Sequence, residues 1–155
     1  MSRLRTIFIS VIKYIVAFAI YIHLSSCKKD EPLISNTPAI EFVSVTPASY
    51  TEYSGEITFT ISYKDGDGNL GENNPDVKNL FLTDNRNNVT YQYRIQQLSP
   101  DGSTIAIQGN IKIKLSGTGI TDASNSQTFS YSIYIVDRAG NRSNTVTSSA
   151  ITVSK

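Results

Sequence analysis

Asp65, Asp67, Asn69 and Asp137 are the residues of this chain whose types and spacing suit chemistry. The first three alternate along Asp65–Gly71 (DGDGNLG), and the fourth opens Asp137–Asn144 (DRAGNRSN). Alternating oxygen side chains in a tight loop offer three ligands to a hard cation such as Ca²⁺, which takes about six to eight. Carboxylates brought together in partly dehydrated surroundings repel, and call for a cation, a proton or a placed donor. The loop departs from an EF-hand: Leu70 stands at the sixth position and Asp76 at the twelfth, and no flanking helices are expected. Two other readings stay open. Asp-Gly and Gly-Asn are turn dipeptides, and aspartates accept nearby backbone N–H groups within their own turns. Asp137 would then bond the Ala139–Asn141 turn, with Arg138 or Arg142 as counter-charge. Asp65 or Asp67 with Asp137 also forms an acid–base pair of the glycosidase kind, which needs a separation of about 5–5.5 Å or about 6.5–9.5 Å.

Little other chemistry is on offer. His23 is the only histidine and Cys27 the only cysteine. Both sit at or before the end of an apolar N-terminal stretch. Met1–Arg5 carries two arginines, and Thr6–Leu24 is apolar apart from Lys13 and His23. A basic start, an apolar middle and small residues at a cleavage point make a secretory signal peptide over residues 1–26. A membrane-spanning helix wants about 20 apolar residues, and Lys13 leaves only Tyr14–Leu24 uninterrupted.

Leu24-Ser25-Ser26-Cys27 resembles the bacterial lipobox. The resemblance implies cleavage before Cys27 and diacylglycerol on its sulfur, usually with a third chain on the new amino terminus. Two or three acyl chains anchor a protein stably without spanning the bilayer. The mature chain would then lack histidine and free thiol. That excludes Ser-His-Asp and Cys-His catalysis, zinc sites built on nitrogen or sulfur, and disulfides. Loss of Arg3, Arg5 and Lys13 leaves 11 basic residues against 13 acidic ones, a net charge of about −2. No basic stripe remains for a phosphate backbone, so no nucleic-acid partner is expected.

Residues 27–38 read as the lipidated cysteine and a flexible tether, with two prolines and no sustained period. Lys28 stands where aspartate signals inner-membrane retention in enterobacterial lipoproteins, which favours the outer membrane. Lys29-Asp30-Glu31 resembles the lysine-plus-acid signal that exports Bacteroidota-type lipoproteins to the cell surface. An ordinary charged linker has the same composition.

Residues 39–155 follow a period of two. Ile57, Phe59, Ile61 and Tyr63 alternate with polar residues, as do Val89–Ile95, Ile105–Leu115 with a bulge at Gly109, and Phe129–Ile135. Ile40–Val45, Lys78–Thr83 and Thr145–Val153 complete seven strands, separated by segments rich in Gly, Pro, Asn, Asp and Ser. The expectation is an all-β fold, a seven-stranded β-sandwich. Asp65 and Asp137 extend the apolar rows 57–63 and 129–135 by two. Both should therefore face inward at one rim of the sandwich, with Asp101 at the same end.

The strand before Asp65–Gly71, and the later strand ending in Val136–Asn144, resemble immunoglobulin-like (cadherin-like) domains of bacterial surface proteins. That resemblance implies a Greek-key sandwich and, in cadherin-like members, calcium held between loops. A sandwich of this kind hosts adhesins, glycan binders and spacers alike. The expected role is a non-catalytic envelope module, anchored to the membrane through lipid, with a glycan or protein partner. A small glycan-active enzyme using paired carboxylates is the alternative. Ca²⁺ is the one cofactor candidate. Tyr50, Tyr53 and Tyr134 are the surface tyrosines expected to meet a ligand, while Tyr63, Tyr91, Tyr93 and Tyr131 fall in core register.

Overall fold

Side chains that alternate across a strand make one face apolar and one polar, and the central strands of this fold bury the apolar face. The computed structural model describes residues 34–155. The apolar leader, Cys27 and the start of the tether lie outside the described residues.

The elements, in order, are β1 (Ala39–Thr46), β2 (Ser49–Thr51), β3 (Glu56–Asp65), β4 (Leu80–Asp84), β5 (Thr90–Tyr93), β6 (Ile107–Ser116), β7 (Ser126–Phe129), β8 (Tyr131–Ile135), β9 (Val146–Thr147) and β10 (Ile151–Ser154). No helix occurs among the described residues. One sheet has the order β1-β3-β6, a second β2-β10-β7 and a third β5-β4-β8-β9. All pairings are antiparallel except β2 with β10.

The fold is all-β and sandwich-like, but the strand count differs from seven. The expected strand over 129–135 is two, because Ser130 interrupts it and its halves pair with different partners. The strand expected over 145–153 is likewise broken between Thr147 and Ile151. The segment read as a loop after Pro47 contains β2, which lies parallel to β10. Gly109 is no bulge: β3 and β6 pair without a register shift, and Gly109 lies beneath the Tyr63 ring. The irregularity falls instead between Phe42 and Ser44 in β1.

One core joins the sheets. Ile57, Phe59 and Ile61 of β3 are fully buried, as are Tyr131, Ile133 and Ile135 of β8 and Ile151 and Val153 of β10. Each such side chain contributes about 1.5–3 kcal/mol on leaving water. Phe59 meets Tyr131 edge to face, with centroids 5.0 Å apart, the geometry that aromatic quadrupoles favour. The end of the expected tether belongs to this unit: Pro38 is buried, and the Ser35 carbonyl accepts the Gly66 N–H at 2.8 Å.

Candidate functional site

Two loops that leave neighbouring strand ends bring the acids together. Asp65 is the last residue of β3, and Asp137 lies two residues beyond β8. Side-chain parity puts each on the inward row, and both are buried, Asp65 completely and Asp137 at 6% exposure. Asp67 is half-buried beside them. One carboxylate oxygen from each of Asp65, Asp67 and Asp137 lies within 4.8 Å of the other two.

The first loop is fixed by its glycines and its neighbours. Gly68 and Gly71 have φ of +70° and +89°, a region that L side chains enter at a cost of about 1–2 kcal/mol. A Cβ on Gly68 would collide with the Ile105 carbonyl, and one on Gly71 with that of Gln96. Leu70, fully buried, pins the loop into the core. Arg138 then ties the loops to each other: its N–H donates to the Asn69 carbonyl at 3.3 Å and its guanidinium to the Gly71 carbonyl at 3.0 Å.

Hydrogen bonding within the cluster is uneven. Asp137 accepts the Asn141 N–H at 2.7 Å and its amide Nδ2 at 2.8 Å, which is the turn expected for it. Asp67 accepts the Asn69 side-chain amide at 2.8 Å. Asp65 Oδ2 accepts the Leu70 N–H at 2.9 Å, but Asp65 Oδ1 and Asn69 Oδ1 are buried with no donor. No counter-charge arrives: the ion pairs among the described residues are Arg86–Asp84 and Lys114–Glu56. Arg142 lies over the Tyr134 ring instead. Burial, above all, pushes the Asp65 carboxyl up to about 6; the Leu70 N–H pulls it down, and the charges of Asp67 and Asp137 push it further up.

Asp101 does not join the cluster. It is exposed, and its carboxylate accepts from the Gln97 amide at 2.9 Å.

The three tyrosines expected to meet a ligand differ in exposure. Tyr50 is half-buried, its hydroxyl 2.9 Å from Thr118 Oγ1. Tyr134 stacks on Phe81 with centroids 4.6 Å apart. Only Tyr53, 77% exposed, meets open solvent broadly. It lines a groove of about 700 Å³ with Tyr91, Tyr93, Asp84, Arg86 and the segment 114–121. Tyr91 and Tyr93, in core register, are partly buried and pack against the core at its rim. Their strand β5 is the edge of its sheet, and both also line this groove beside β6 of another sheet.

Sequence reasoning missed the polar hub under that groove. Asp84 is 1% exposed and the Arg86 side chain 6%. The guanidinium bonds both Asp84 oxygens (closest 2.6 Å), the Gly119 carbonyl (3.0 Å), Gln127 Oε1 (2.9 Å) and Thr118 Oγ1 (3.0 Å). It also lies 3.4 Å above the Phe129 ring centroid. The signal was present: Asp84 continues the inward row Leu80, Leu82, as Asp65 continues its own.

Fold and site together define a β-sandwich-like module with buried acids at one rim and an aromatic groove along one side. No protein-family model, curated protein or solved structure matches this chain.

Proposed function

We propose that this chain is a lipid-anchored, non-catalytic protein of the outer membrane whose sandwich engages a glycan or protein partner, or spaces one from the bilayer. The anchor is the acylated Cys27, left at the amino terminus once the leader before it is removed; the surface is the groove lined by Tyr53, Tyr91 and Tyr93. The groove carries this reading. Three aromatic faces beside Lys114 and Asn87 offer stacking and polar contacts over an open surface, the mix that sugars and peptide segments accept.

The ten strands support an immunoglobulin-like Greek key when β7 and β8 count as one interrupted strand and β9 and β10 as another. The remaining extra element, β2, lies beside the last strand. The same geometry argues against a glycosidase. Asp65 and Asp137 have 0% and 6% exposure and are not among the residues lining the groove, so a sugar would not reach them. Catalytic carboxylates must flank the bond they cleave.

The anchor is tested by intact mass of protein purified from its native membrane: added acyl mass on a chain starting at Cys27 supports it, and a free thiol or retained leader refutes it. The partner is tested with a glycan array and a cross-linked pull-down of the same material. Loss of the captured ligand in Tyr91→Ala and Tyr93→Ala supports the groove, and unchanged capture removes it.

A further inference from the structure

The rim cluster holds more than a turn requires. Asx-turn bonding accounts for Asp137 and Asp67, whose oxygens accept Asn141 and Asn69. It does not account for Asp65, which is completely buried, points one oxygen at no donor, and sits against two further carboxylates. Nor does it account for Asn69 Oδ1, a second buried acceptor without a donor in the same loop. A buried acceptor left unpaired is costly, and here two lie beside three acids with no cation among the described residues to offset them.

We propose that Asp65, Asp67, Asn69 and Asp137 form a binding site for a single divalent cation of Ca²⁺ type, lying within one domain and joining the β3–β4 loop to the β8–β9 loop. The donor set is all oxygen, which selects Ca²⁺ over the softer transition metals. The carboxylate oxygens lie within 4.8 Å of one another, a span that one ion with bonds of about 2.3–2.6 Å covers. Mg²⁺ bonds at about 2.0–2.1 Å and needs a tighter shell. The hydrogen bonds already made leave lone pairs free, since an ionised carboxylate has about four acceptor sites. Arg138 holds the two loops in place before any ion arrives. The site stands apart from the groove and does not depend on the proposed partner.

The experiment uses the purified full-length protein in detergent, stripped with EDTA and titrated with Tb³⁺, a luminescent ion close to Ca²⁺ in size. Tyr63, two residues before Asp65 on the same strand, is the expected sensitiser. Tyrosine-excited Tb³⁺ emission should appear, and Ca²⁺ should displace it at about 0.1–1 mM, the range of extracellular sites. Mg²⁺ should displace it at least about tenfold less well. Asp67→Asn, at a half-buried position that tolerates the change, should weaken binding by about tenfold or more, and Asp137→Asn likewise; Asp101→Asn should leave it unchanged. Absence of sensitised emission, or Asp67→Asn and Asp137→Asn binding as well as Asp101→Asn, overturns the site.

Discussion

Replacing Arg86 by Met tests whether the hub beneath the groove holds the domain together. Arg86→Met keeps the aliphatic length and the contact with Phe129, but leaves Asp84, 1% exposed, as a buried carboxylate without its partner. Breaking a buried pair from one side costs about 3–5 kcal/mol. The Gly119 carbonyl also loses this donor, whereas Gln127 and Thr118 keep partners in Thr121 and Tyr50. Against a total stability of about 5–15 kcal/mol for a domain, this is a large fraction. At about 4 °C per kcal/mol for a domain of this size, the melting temperature should fall by about 12–20 °C. Urea denaturation followed by tyrosine fluorescence gives the free energy directly. Asp84→Asn, which removes the charge but leaves the guanidinium its other acceptors, should cost less. The double variant Asp84→Leu/Arg86→Met should be more stable than Arg86→Met alone, because no buried charge is stranded. A loss below about 1 kcal/mol in Arg86→Met, the value of an exposed pair, would refute the reasoning.

Three further outcomes follow from the same geometry. In EDTA, Asp65 gives a defined pH signature: burial pushes its carboxyl up to about 6 in the folded protein, above the ordinary range for an aspartate. The folded state therefore holds the proton more tightly, and this group's contribution to stability falls as pH rises from about 4 to about 6. The melting temperature of the native protein relative to Asp65→Asn should decline across that window, and a flat difference counts against a buried, unpaired acid. Gly68→Ala puts a Cβ at positive φ against the Ile105 carbonyl; it should cost at least about 1–2 kcal/mol in urea denaturation, whereas Gly102→Ala, at positive φ in open space, should cost less. Tyr131→Phe removes a hydroxyl 3.4 Å from Thr118 Oγ1 while keeping the ring against Phe59. It should cost about 1 kcal/mol or less, far below Phe59→Ala at about 3–5 kcal/mol, in the same assay.

Period-two alternation made the long strands legible, because burial enforces it residue by residue: Ile57, Phe59 and Ile61 read inward and are inward. Parity carried further than strand location. Extended by two residues, it put Asp65 and Asp137 at one rim, and the structure buries both there. The same rule extended from Leu82 would have found Asp84, but Asp-Asn-Arg-Asn-Asn reads as turn composition and concealed an inward carboxylate. Parity put Tyr91 and Tyr93 on the core side, and both pack against the core there. It could not show that, on an edge strand, the same side also opens onto a groove. The breaks at Ser130 and after Thr147 were invisible, since a strand that changes partners keeps its alternation. The unpaired oxygens of Asp65 and Asn69 depend on where donors fall in three dimensions, and no spacing records that.

Both strands flanking the groove, β5 and β6, are terminal in their sheets, so each leaves one side of its backbone without a ladder partner. Lys112 and Lys114 stand exposed along β6, and Lys114 already reaches Glu56 at 2.9 Å. Cationic side chains on an open edge block the docking of another extended chain. Copies crowded into one plane would meet there lysine against lysine. Their mutual repulsion would keep them separate molecules rather than letting them knit into a continuous ribbon.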